Sequence, residues 1–156
     1  MFSRVMPKFR ANVAALIVNR KGEILVCERI NNKGSWQFPQ GGVDKGETML
    51  EALEREVSEE VGLTGDDYKI IEYREEYYYF YPAHIRAKKK WDGQVQTYFL
   101  CKLKKKAKEV DLGKNNKEFC DFDWVKPKDF VVDWLPGFKL EVYREVMRDF
   151  FELELK

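Results

Sequence analysis

Three glutamates near the middle of the chain have the spacing of a cation-binding cluster. Glu56, Glu59 and Glu60 stand at positions i, i+3 and i+4, which lie on one face of a helix within a single turn. Carboxylates placed so closely repel one another by roughly a few tenths of a kcal/mol per pair. A hard divalent cation such as Mg²⁺ offsets that repulsion, because it takes oxygen ligands and bridges them to phosphates. Taken alone, the three residues favour a solvated acidic face, since most charge runs are solvated surface.

The residues around these glutamates follow a fixed pattern that ends at Leu63. Five residues separate Gly41 from Glu47, and seven more lead to the pair Arg55 and Glu56. The continuation VSEEVGL completes G-x5-E-x7-R-E-U-x-E-E-x-G-U, where U is aliphatic. Seven fixed residues match by chance at about one in 10⁸ starting positions. The segment therefore resembles the signature of the Nudix hydrolases, which implies an α/β chain with the Nudix fold, a mixed β-sheet in an α/β/α sandwich.

The resemblance implies a role for each fixed acid and for the arginine. Glu56, Glu59 and Glu60 would bind Mg²⁺, with Mn²⁺ as an alternative ion. Glu47 would pair with Arg55 and tie the loop to the helix. The shared reaction of the family is attack of water on a nucleoside diphosphate linked to another group, with metal ions stabilising charge and activating the water.

Two glycines, Gly41 and Gly42, open the signature. Because glycine has no Cβ, the backbone at these positions can come close to a ligand. We expect both glycines to bind substrate by letting the main chain approach a phosphate group.

The flanking segments resemble a narrower group within the family. FRANVAALIVNRKGEILVCER lies near the start of the chain, WQFPQGGVD leads into the signature, and GQVQTYFL, KEFCDFDWV and FKLEVYREVMRDF follow the signature in that order. Together they are similar to the bacterial RNA pyrophosphohydrolases and to the plant-type asymmetrical diadenosine tetraphosphate hydrolases. The likeness spans nearly the whole chain, so it implies substrates as well as a reaction class.

This narrower resemblance implies a set of substrate-binding residues. Arg10 and Lys139 would contact phosphates, Phe138 would stack on a base, Tyr79 would touch the phosphate chain, and Gln37 would orient substrate. Structural roles stay open for three of them. Phe138 also continues the apolar stripe of its helix, Tyr79 lies in an aromatic strand where sheet packing accounts for most aromatic residues, and Gln37 could equally cap its loop.

Glu118 is implied as a fourth metal-binding glutamate, although a Glu before a strand is ordinarily a solvated loop residue. Glu59, Glu60 and Glu118 are all candidates for the general base. The chain also departs from some RNA pyrophosphohydrolases, which carry an arginine where this sequence has Glu28 beside Arg29. That substitution puts a contact with an RNA base in doubt.

Local patterns predict the elements that position these residues. The segments Val13–Asn19 and Glu23–Arg29 predict two strands joined as a hairpin. Thr48 and Glu51 form the pattern of a capping box, which begins a helix of about Met49–Val61. Gly62 fits the left-handed end of that helix, whose core face would be made by Leu50, Leu53, Val57 and Val61.

The remaining patterns predict four strands and a terminal helix. The strands are expected at Lys69–Tyr73, Glu75–Tyr81, Gln96–Leu103 and Phe119–Val125. The helix starts near Gly137 and carries a stripe of Phe138, Val142, Val146 and Phe150, with Tyr143 and Met147 beside it. Strands on both sides of a central helix, followed by a terminal helix, indicate a mixed sheet between helical layers.

Length and composition limit the class of protein. A chain of 156 residues has the size of one ordinary domain, so we expect one Nudix domain over residues 1–156. The net charge of +1 excludes a general nucleic-acid coat but leaves a local basic site open. Two basic runs, at residues 86–91 and 102–108, fit a solvated hairpin or an RNA track.

Cysteine usage and hydropathy indicate a cytoplasmic protein that does not enter a membrane. The three cysteines form no CxxC pair, which favours buried, reduced thiols. No segment reaches the roughly 18 apolar residues of a membrane span, and the first residues lack a signal-peptide core. The sole histidine, His84, is expected on the surface because no partner stands at metal-ligand spacing.

These patterns and the resemblance together imply a Mg²⁺-dependent RNA 5′-pyrophosphohydrolase. Such an enzyme converts 5′-triphosphate RNA to 5′-monophosphate RNA and releases pyrophosphate. The first alternative is hydrolysis of diadenosine tetraphosphate to ATP and AMP, which would use the same metal site. The second is a nucleotide-binding module without catalysis, although such modules usually lose signature glutamates and this chain keeps all of them. Protein partners are not indicated by the sequence.

Overall fold

The computed structural model of the protein describes residues 6–156. Its strands are β1 (Phe9–Val18), β2 (Ile24–Arg29), β3 (Trp36–Gln37), β4 (Gln40–Gly42), β5 (Tyr68–Phe80), β6 (Gly93–Leu103) and β7 (Phe119–Val125). Its helices are α1 (Met49–Val61), the single-turn α2 (Ala83–Arg86) and α3 (Gly137–Phe151), with two 3₁₀ turns at Pro127–Asp129 and Val132–Trp134. Within this part of the chain, no helix combines the length and apolar character needed to cross a membrane.

The seven strands form one mixed sheet. Its main path runs β3-β2-β1-β6-β5, while β4 pairs with β1 and β7 pairs with β2. Strands β1 and β6 are parallel along their whole length, and the other pairings are antiparallel. The β1–β2 hairpin predicted from the sequence is present, with Val18 opposite Ile24.

Alternate residues of the central strands supply two separate cores. On one face Leu16 of β1 packs in the cluster that contains Val142 and Val146 of α3. On the other face Ile17 packs in the cluster that contains Leu53 and Val57 of α1. The period-two alternation of a strand explains why one strand serves both layers. The predicted α/β/α sandwich is therefore confirmed.

The helix that carries the signature glutamates begins and ends where its local sequence predicts. The Thr48 hydroxyl accepts a hydrogen bond from the Glu51 amide at 3.1 Å, and the Glu51 carboxylate accepts one from the Thr48 amide at 3.0 Å. At the other end Gly62 adopts a left-handed conformation with φ of 74°. These two caps fix the register of α1, and with it the direction of every glutamate on the helix.

The outer strand β5 differs from its prediction. The sequence indicated two strands, but one strand runs from Tyr68 to Phe80. Register shifts against β6 between Ile70 and Glu72 and between Arg74 and Tyr77 interrupt its ladder. Bulges bend a strand without ending it, which explains why the polar stretch in the middle resembles a break in the sequence pattern.

Two burial predictions were wrong. Leu50 was placed on the core face of α1, but it is 45% exposed, while Ala52 is fully buried and takes that role. Cys120 was expected to be buried like Cys27 and Cys101, but it lies exposed on β7. Neither core cluster includes Cys120, whose Sγ lies instead 3.5 Å from the Glu28 carboxylate. His84 is exposed on α2, as predicted.

Candidate functional site

A cleft of about 470 Å³ lies at one end of the sheet and gathers most of the residues predicted from the sequence. The predicted residues that line it are Arg10, Gln37, Gly41, Gly42, Glu56, Glu60, Tyr79, Glu118, Phe138 and Lys139. Glu59 lines a neighbouring cavity, and Glu47 and Arg55 lie behind the wall of the cleft. Residues from distant parts of the chain thus share one site.

The pairing of β1 creates the floor of this cleft. The parallel register sets Arg10 beside Gln94 and Asn12 beside Gln96. On the other side of β1, Asn12 is opposite Gly42 and Val13 is opposite Gly41. The start of β1 is therefore held between a polar stretch of β6 and the two glycines of β4.

One buried and one partly buried carboxylate, Glu60 and Glu56, form the acidic wall. Glu60 is only 5% exposed, and its Oε2 has no hydrogen-bond partner. Burial first, and then the charge and hydrogen bonding of Glu56, raise the pKa of Glu60 far above its ordinary value. Burial also raises the pKa of Glu56, although Arg55 opposes the shift. Two adjacent carboxylates in a low-dielectric wall are costly unless a proton or a cation neutralises them.

Glu59 and Glu118 face a second cavity of about 510 Å³ that shares Glu56 and Glu60 with the cleft. The side chain of Glu59 is 61% exposed. Glu118 lies just before β7, where its carbonyl accepts a hydrogen bond from the Ile30 amide at 2.8 Å. All four glutamates predicted to hold metal therefore border the second cavity, which shares Glu56, Glu60 and Glu118 with the cleft.

Asn116 joins the loop of Glu118 to α1. Its side-chain amide donates to the carbonyl of Glu60 at 2.7 Å and to that of Leu112 at 3.0 Å. Its side-chain oxygen accepts from the amides of Glu118 at 2.9 Å and Phe119 at 2.8 Å. This bridge sets the distance between the helix and the loop, and nothing in the sequence pattern had singled it out.

The acidic wall fits a divalent cation whose remaining ligands come from elsewhere. Among residues 6–156 no three His, Cys, Asp or Glu side chains converge in a ready-made cage. Magnesium is ordinarily held by one or two carboxylates together with waters and substrate phosphates. The unpartnered Oε2 of Glu60 beside Glu56 supplies that kind of incomplete site, so Glu56 and Glu60 could hold the ion, with Glu59 and Glu118 within the same space.

Arg55 connects the loop and the helix behind the acidic wall. Its guanidinium donates to Glu47 at 2.7 and 2.9 Å, to Glu56 at 2.7 Å and to the carbonyl of Gly42 at 2.9 Å. The predicted pairing of Glu47 with Arg55 is therefore present. Hydrogen bonds from Arg55 and from the Asp44 amide lower the pKa of Glu47 to about 2, which keeps it ionised at neutral pH.

The two glycines of β4 leave room for functional side chains. A Cβ on Gly41 would overlap the carboxylate of Glu56, and a Cβ on Gly42 would overlap the guanidinium of Arg10. The sequence had suggested only that these glycines admit a phosphate. The structure adds that they also let one acid and one base approach the backbone from opposite sides.

The opposite wall of the cleft is basic. Arg10, Arg29, Lys89 and Lys139 line it, and they come from β1, β2, the segment after α2, and α3. Lys139 is 8% exposed. Burial, followed by repulsion from Arg29, lowers the pKa of Lys139 to about 8 although Glu118 opposes the shift. This wall can bind a polyphosphate across from the carboxylates.

Aromatic residues close the side of the cleft next to α3. The ring centroid of Phe138 lies 5.6 Å from that of Tyr79 and 6.3 Å from that of Tyr81. Phe138 is half-buried, so it contributes to the core of its helix and also faces the cleft. Tyr79 is 6% exposed and packs as a sheet residue while still lining the cleft.

The lining residues Asn12, Tyr81 and Gln94 had not been identified from the sequence, nor had Gln96, which lies behind the lining and bonds to it. Gln96 donates to Asn12 at 2.9 Å and to Gln40 at 2.6 Å, and Gln94 donates to Tyr81 at 3.0 Å. Alternate glutamines on a strand otherwise rich in apolar residues were the available signal. Gln37 is buried, and its side-chain nitrogen lies 3.5 Å from the Phe38 carbonyl.

The departure at position 28 has a local explanation. The Glu28 carboxylate accepts a hydrogen bond from the Gly34 amide at 2.8 Å, so it holds the loop between β2 and β3. Arg29, the remaining cation of the pair, lines the cleft. Of the two neighbouring positions, 28 and 29, only Arg29 therefore places a cation in the cleft.

Comparison with known proteins agrees with this geometry. An RNA pyrophosphohydrolase of Helicobacter pylori (strain G27) is 42% identical over 148 residues, which cover 92% of this chain and 94% of the relative. One from a Nitratiruptor species is 42% identical over 149 residues, with the same coverage. The solved structure of a C. elegans Ap4A hydrolase binary complex has a TM-score of 0.64 at 21% identity, over 91% of this chain and 99% of that one. The NUDIX domain family model matches residues 8–150, and the chain belongs to the Nudix family.

Proposed function

We propose that this protein is an RNA 5′-pyrophosphohydrolase that converts 5′-triphosphate RNA ends to 5′-monophosphate ends and releases pyrophosphate. The observation that carries the proposal is one cleft of about 470 Å³ that is lined both by carboxylates and by four cationic side chains. The names of the relatives at 42% identity support the RNA substrate. A divalent cation belongs to the chemistry of the family, and Mg²⁺ is the ion proposed for this chain, with Mn²⁺ as its alternative.

Glu56, Glu59, Glu60 and Glu118 are proposed to hold the cation. When bound, the ion supplies charge that stabilises phosphate oxygens and promotes ionisation of the attacking water. Arg55 orients Glu56 through its 2.7 Å contact and is itself held by Glu47. Glu59 and Glu118 face the second cavity and are the more accessible candidates for a general base; Glu60 remains a third.

Arg10, Arg29 and Lys139 are proposed to bind the phosphate chain. Each carries a cation on the wall opposite the acids, so each can neutralise the negative charge of substrate phosphates, which the carboxylates would otherwise repel. Phe138, with Tyr79 beside it, offers a flat ring on which the base near the 5′ end can stack. Gln37, Gly41 and Gly42 also line the cleft, and we propose that they contact the substrate, the glycines through their main chain.

The proposal treats residues 1–156 as one Nudix domain acting in the cytoplasm. One sheet joins β1 to β7, and residues from both ends of the described chain line the cleft. A substrate made by transcription is available in that compartment.

A competition between two substrates tests the function. The protein is incubated with Mg²⁺ and equal amounts of 5′-triphosphate RNA and diadenosine tetraphosphate, and the products are resolved over time. Faster appearance of monophosphate RNA and pyrophosphate is expected. Faster appearance of ATP and AMP would instead identify a dinucleoside polyphosphate hydrolase, and binding without any product would identify a module without catalysis.

A single substitution tests the assignment of the acids. Glu59→Gln should abolish turnover of the preferred substrate, because it removes a carboxylate proposed to hold the cation. The side chain is 61% exposed and the amide has nearly the same size, so the fold should be unaffected. Circular dichroism and thermal unfolding should match those of the original protein. A fully active Glu59→Gln variant would overturn the assignment of this glutamate.

A further inference from the structure

Three aromatic rings form an exposed platform on the sheet face opposite the cleft, at the edge strand β5. Tyr78 and Phe80 are 49% and 48% exposed, although large aromatic side chains are normally buried for most of their surface. The ring centroid of Phe9 lies 5.1 Å from each of them. We call Phe9, Tyr78 and Phe80 the aromatic platform. Its rings are held against one another at fixed angles while two of them keep open faces.

A basic segment, residues 86–91, borders the aromatic platform. The guanidinium carbon of Arg86 lies 5.3 Å from the centroid of the Phe80 ring, and the ammonium of Lys90 lies 5.3 Å from that of Trp91. Lys88 is exposed between them. Asp92 holds the edge of this segment, since its carboxylate accepts from the Lys8 amide at 2.8 Å and lies 4.0 Å from Arg86.

The basic segment also reaches the cleft. Lys89 lines the cleft, and its ammonium lies 5.1 Å from the centroid of the Tyr81 ring. Along β5 the tyrosines alternate, so that Tyr79 lines the cleft while Tyr78 belongs to the platform. Cleft and platform therefore lie on opposite faces of β5, which is the end strand of the main sheet path. The basic segment joins them around that edge, because Arg86 packs on the platform ring of Phe80 and Lys89 packs on a ring of the cleft.

We propose that the aromatic platform and the basic segment bind the RNA chain downstream of its 5′ end; this inference rests on the proposed function. Single strands are held by aromatic rings that stack on bases together with cations that follow the phosphates. The platform and the segment supply both, around the edge strand β5 from the cleft that takes the terminal phosphates. A dinucleoside polyphosphate has no nucleotides beyond its two bases, so it offers no downstream chain for this surface to bind.

A second basic surface provides a matched control. Lys104 and Lys105 border a groove of about 550 Å³ that also contains Phe122 and Trp124. None of its residues lines the catalytic cleft. The variants Lys88→Glu/Lys90→Glu and Lys104→Glu/Lys105→Glu carry the same change of charge, so they separate a local track from a general attraction of RNA to basic surface.

The test compares 5′-triphosphate RNAs of two and twelve nucleotides, both unstructured. Lys88→Glu/Lys90→Glu and Tyr78→Leu/Phe80→Leu should each lower kcat/KM for the long RNA by about five- to tenfold and leave the short RNA within about twofold. Lys104→Glu/Lys105→Glu should leave both substrates unchanged. The slope of log affinity against log salt should fall by about 0.7 for each RNA phosphate that the variant no longer neutralises.

A binding measurement keeps this inference separate from the proposed function. Fluorescence anisotropy with a twelve-nucleotide 5′-monophosphate RNA needs no turnover, and the same two variants should bind it more weakly than the original protein. If the protein binds through the platform but releases no pyrophosphate, the proposed function fails and the RNA-binding surface stands. If both lengths are hydrolysed equally well and the platform variants bind normally, or if the Lys104/Lys105 variant loses as much, the platform is not the RNA-binding surface.

Discussion

At the scale of single residues, the contact between Gly41 and Glu56 makes a prediction about metal affinity. An added Cβ in Gly41→Ala would overlap the Glu56 carboxylate, which must then turn away from the cleft. Disturbed support of a metal ligand typically costs about 10- to 100-fold in affinity. We therefore expect the Mg²⁺ concentration for half-maximal activity to rise by about that factor, measured by titrating Mg²⁺ at saturating RNA.

Gly65→Ala is the control for this substitution. A Cβ there would meet only the Glu54 side chain, at 3.6 Å, and Gly65 lies away from the cleft. An unchanged Mg²⁺ dependence in Gly41→Ala would show that activity does not require Glu56 to stay where the structure places it.

Lys139 makes a prediction about pH. Its pKa is lowered to about 8, chiefly by burial, so the ammonium that would bind phosphate is lost as the pH rises through that value. At one unit above its pKa only about a tenth of a group stays protonated. We expect KM for triphosphate RNA to rise several-fold between pH 7 and pH 9, measured from initial rates.

The sign of the linked stability separates this effect from unfolding. The ordinary pKa of Lys139 is 10.5, so the unfolded chain binds more protons than the folded one between about pH 8 and that value, and this residue adds stability as the pH rises there. Lys139→Arg keeps its charge throughout and should show a flat KM from pH 7 to pH 9. The same rise in the arginine variant would assign the pH dependence to another group.

Residue roles were predictable from the sequence only where a fixed spacing carries them. The signature identified Glu47 and Arg55, and the two are in contact. Asn116 bonds to Glu60, 56 residues away in the sequence, so no local pattern could reveal it. Alternation along β6 marks Gln96 as a polar position, but its bond to Gln40, also 56 residues away, depends on the fold. The burial of Lys139 likewise depends on packing around the start of α3.

At the scale of elements, the capping box of α1 makes a prediction about stability. Thr48→Ala removes the acceptor of the Glu51 amide, whose hydrogen bond is 3.1 Å long. Loss of such a cap typically costs about 1 kcal/mol. We expect the free energy of unfolding to fall by about that amount, measured by urea denaturation monitored by circular dichroism. Thr48→Ser keeps a hydroxyl and should recover most of the loss; equal losses in both variants would contradict the role of the cap.

Elements whose ends are marked by local chemistry were predicted well. Thr48 and Gly62 bound α1 as expected, and β7 spans the predicted residues. Strand β5 was predicted as two pieces, because its exposed middle looks like a turn and its continuity depends on pairing with β6. The exposure of Leu50 has a similar origin, since the neighbouring part of β5 and β6 leaves an open groove rather than a covered core.

At the scale of the whole molecule, the site is a meeting of opposite charges supplied by separate layers. The helix α1 on one face brings the acids, while α3 on the other face brings Lys139 and Phe138. The sheet lies between the layers and contributes Arg10, Arg29 and the glycines of β4. Each layer is stable through its own apolar face, so the charged groups at the sheet end are free to serve binding.

This division makes a prediction about how the cation and the fold depend on each other. Glu60 is buried with Oε2 unpartnered and Glu56 beside it, a costly arrangement that a bound divalent ion would relieve. An ion at about 100 times its Kd adds roughly 2.7 kcal/mol of stability, which raises Tm by about 5–10 °C for a chain of this size. Differential scanning calorimetry with and without Mg²⁺ measures the rise.

Glu60→Gln distinguishes relief at this carboxylate from a general effect of the ion. A neutral amide is cheaper to bury than a carboxylate, so the variant in EDTA should melt at or above the temperature of the original protein. The Mg²⁺-dependent rise should largely disappear, because the variant has lost both the ligand and the cost that the ion relieved. Glu109→Gln, an exposed change at the opposite groove, should keep the full rise. If Glu60→Gln kept the full Mg²⁺-dependent rise in Tm, the stabilising ion would lie away from the acidic wall, because loss of its most buried carboxylate must weaken any ion bound there.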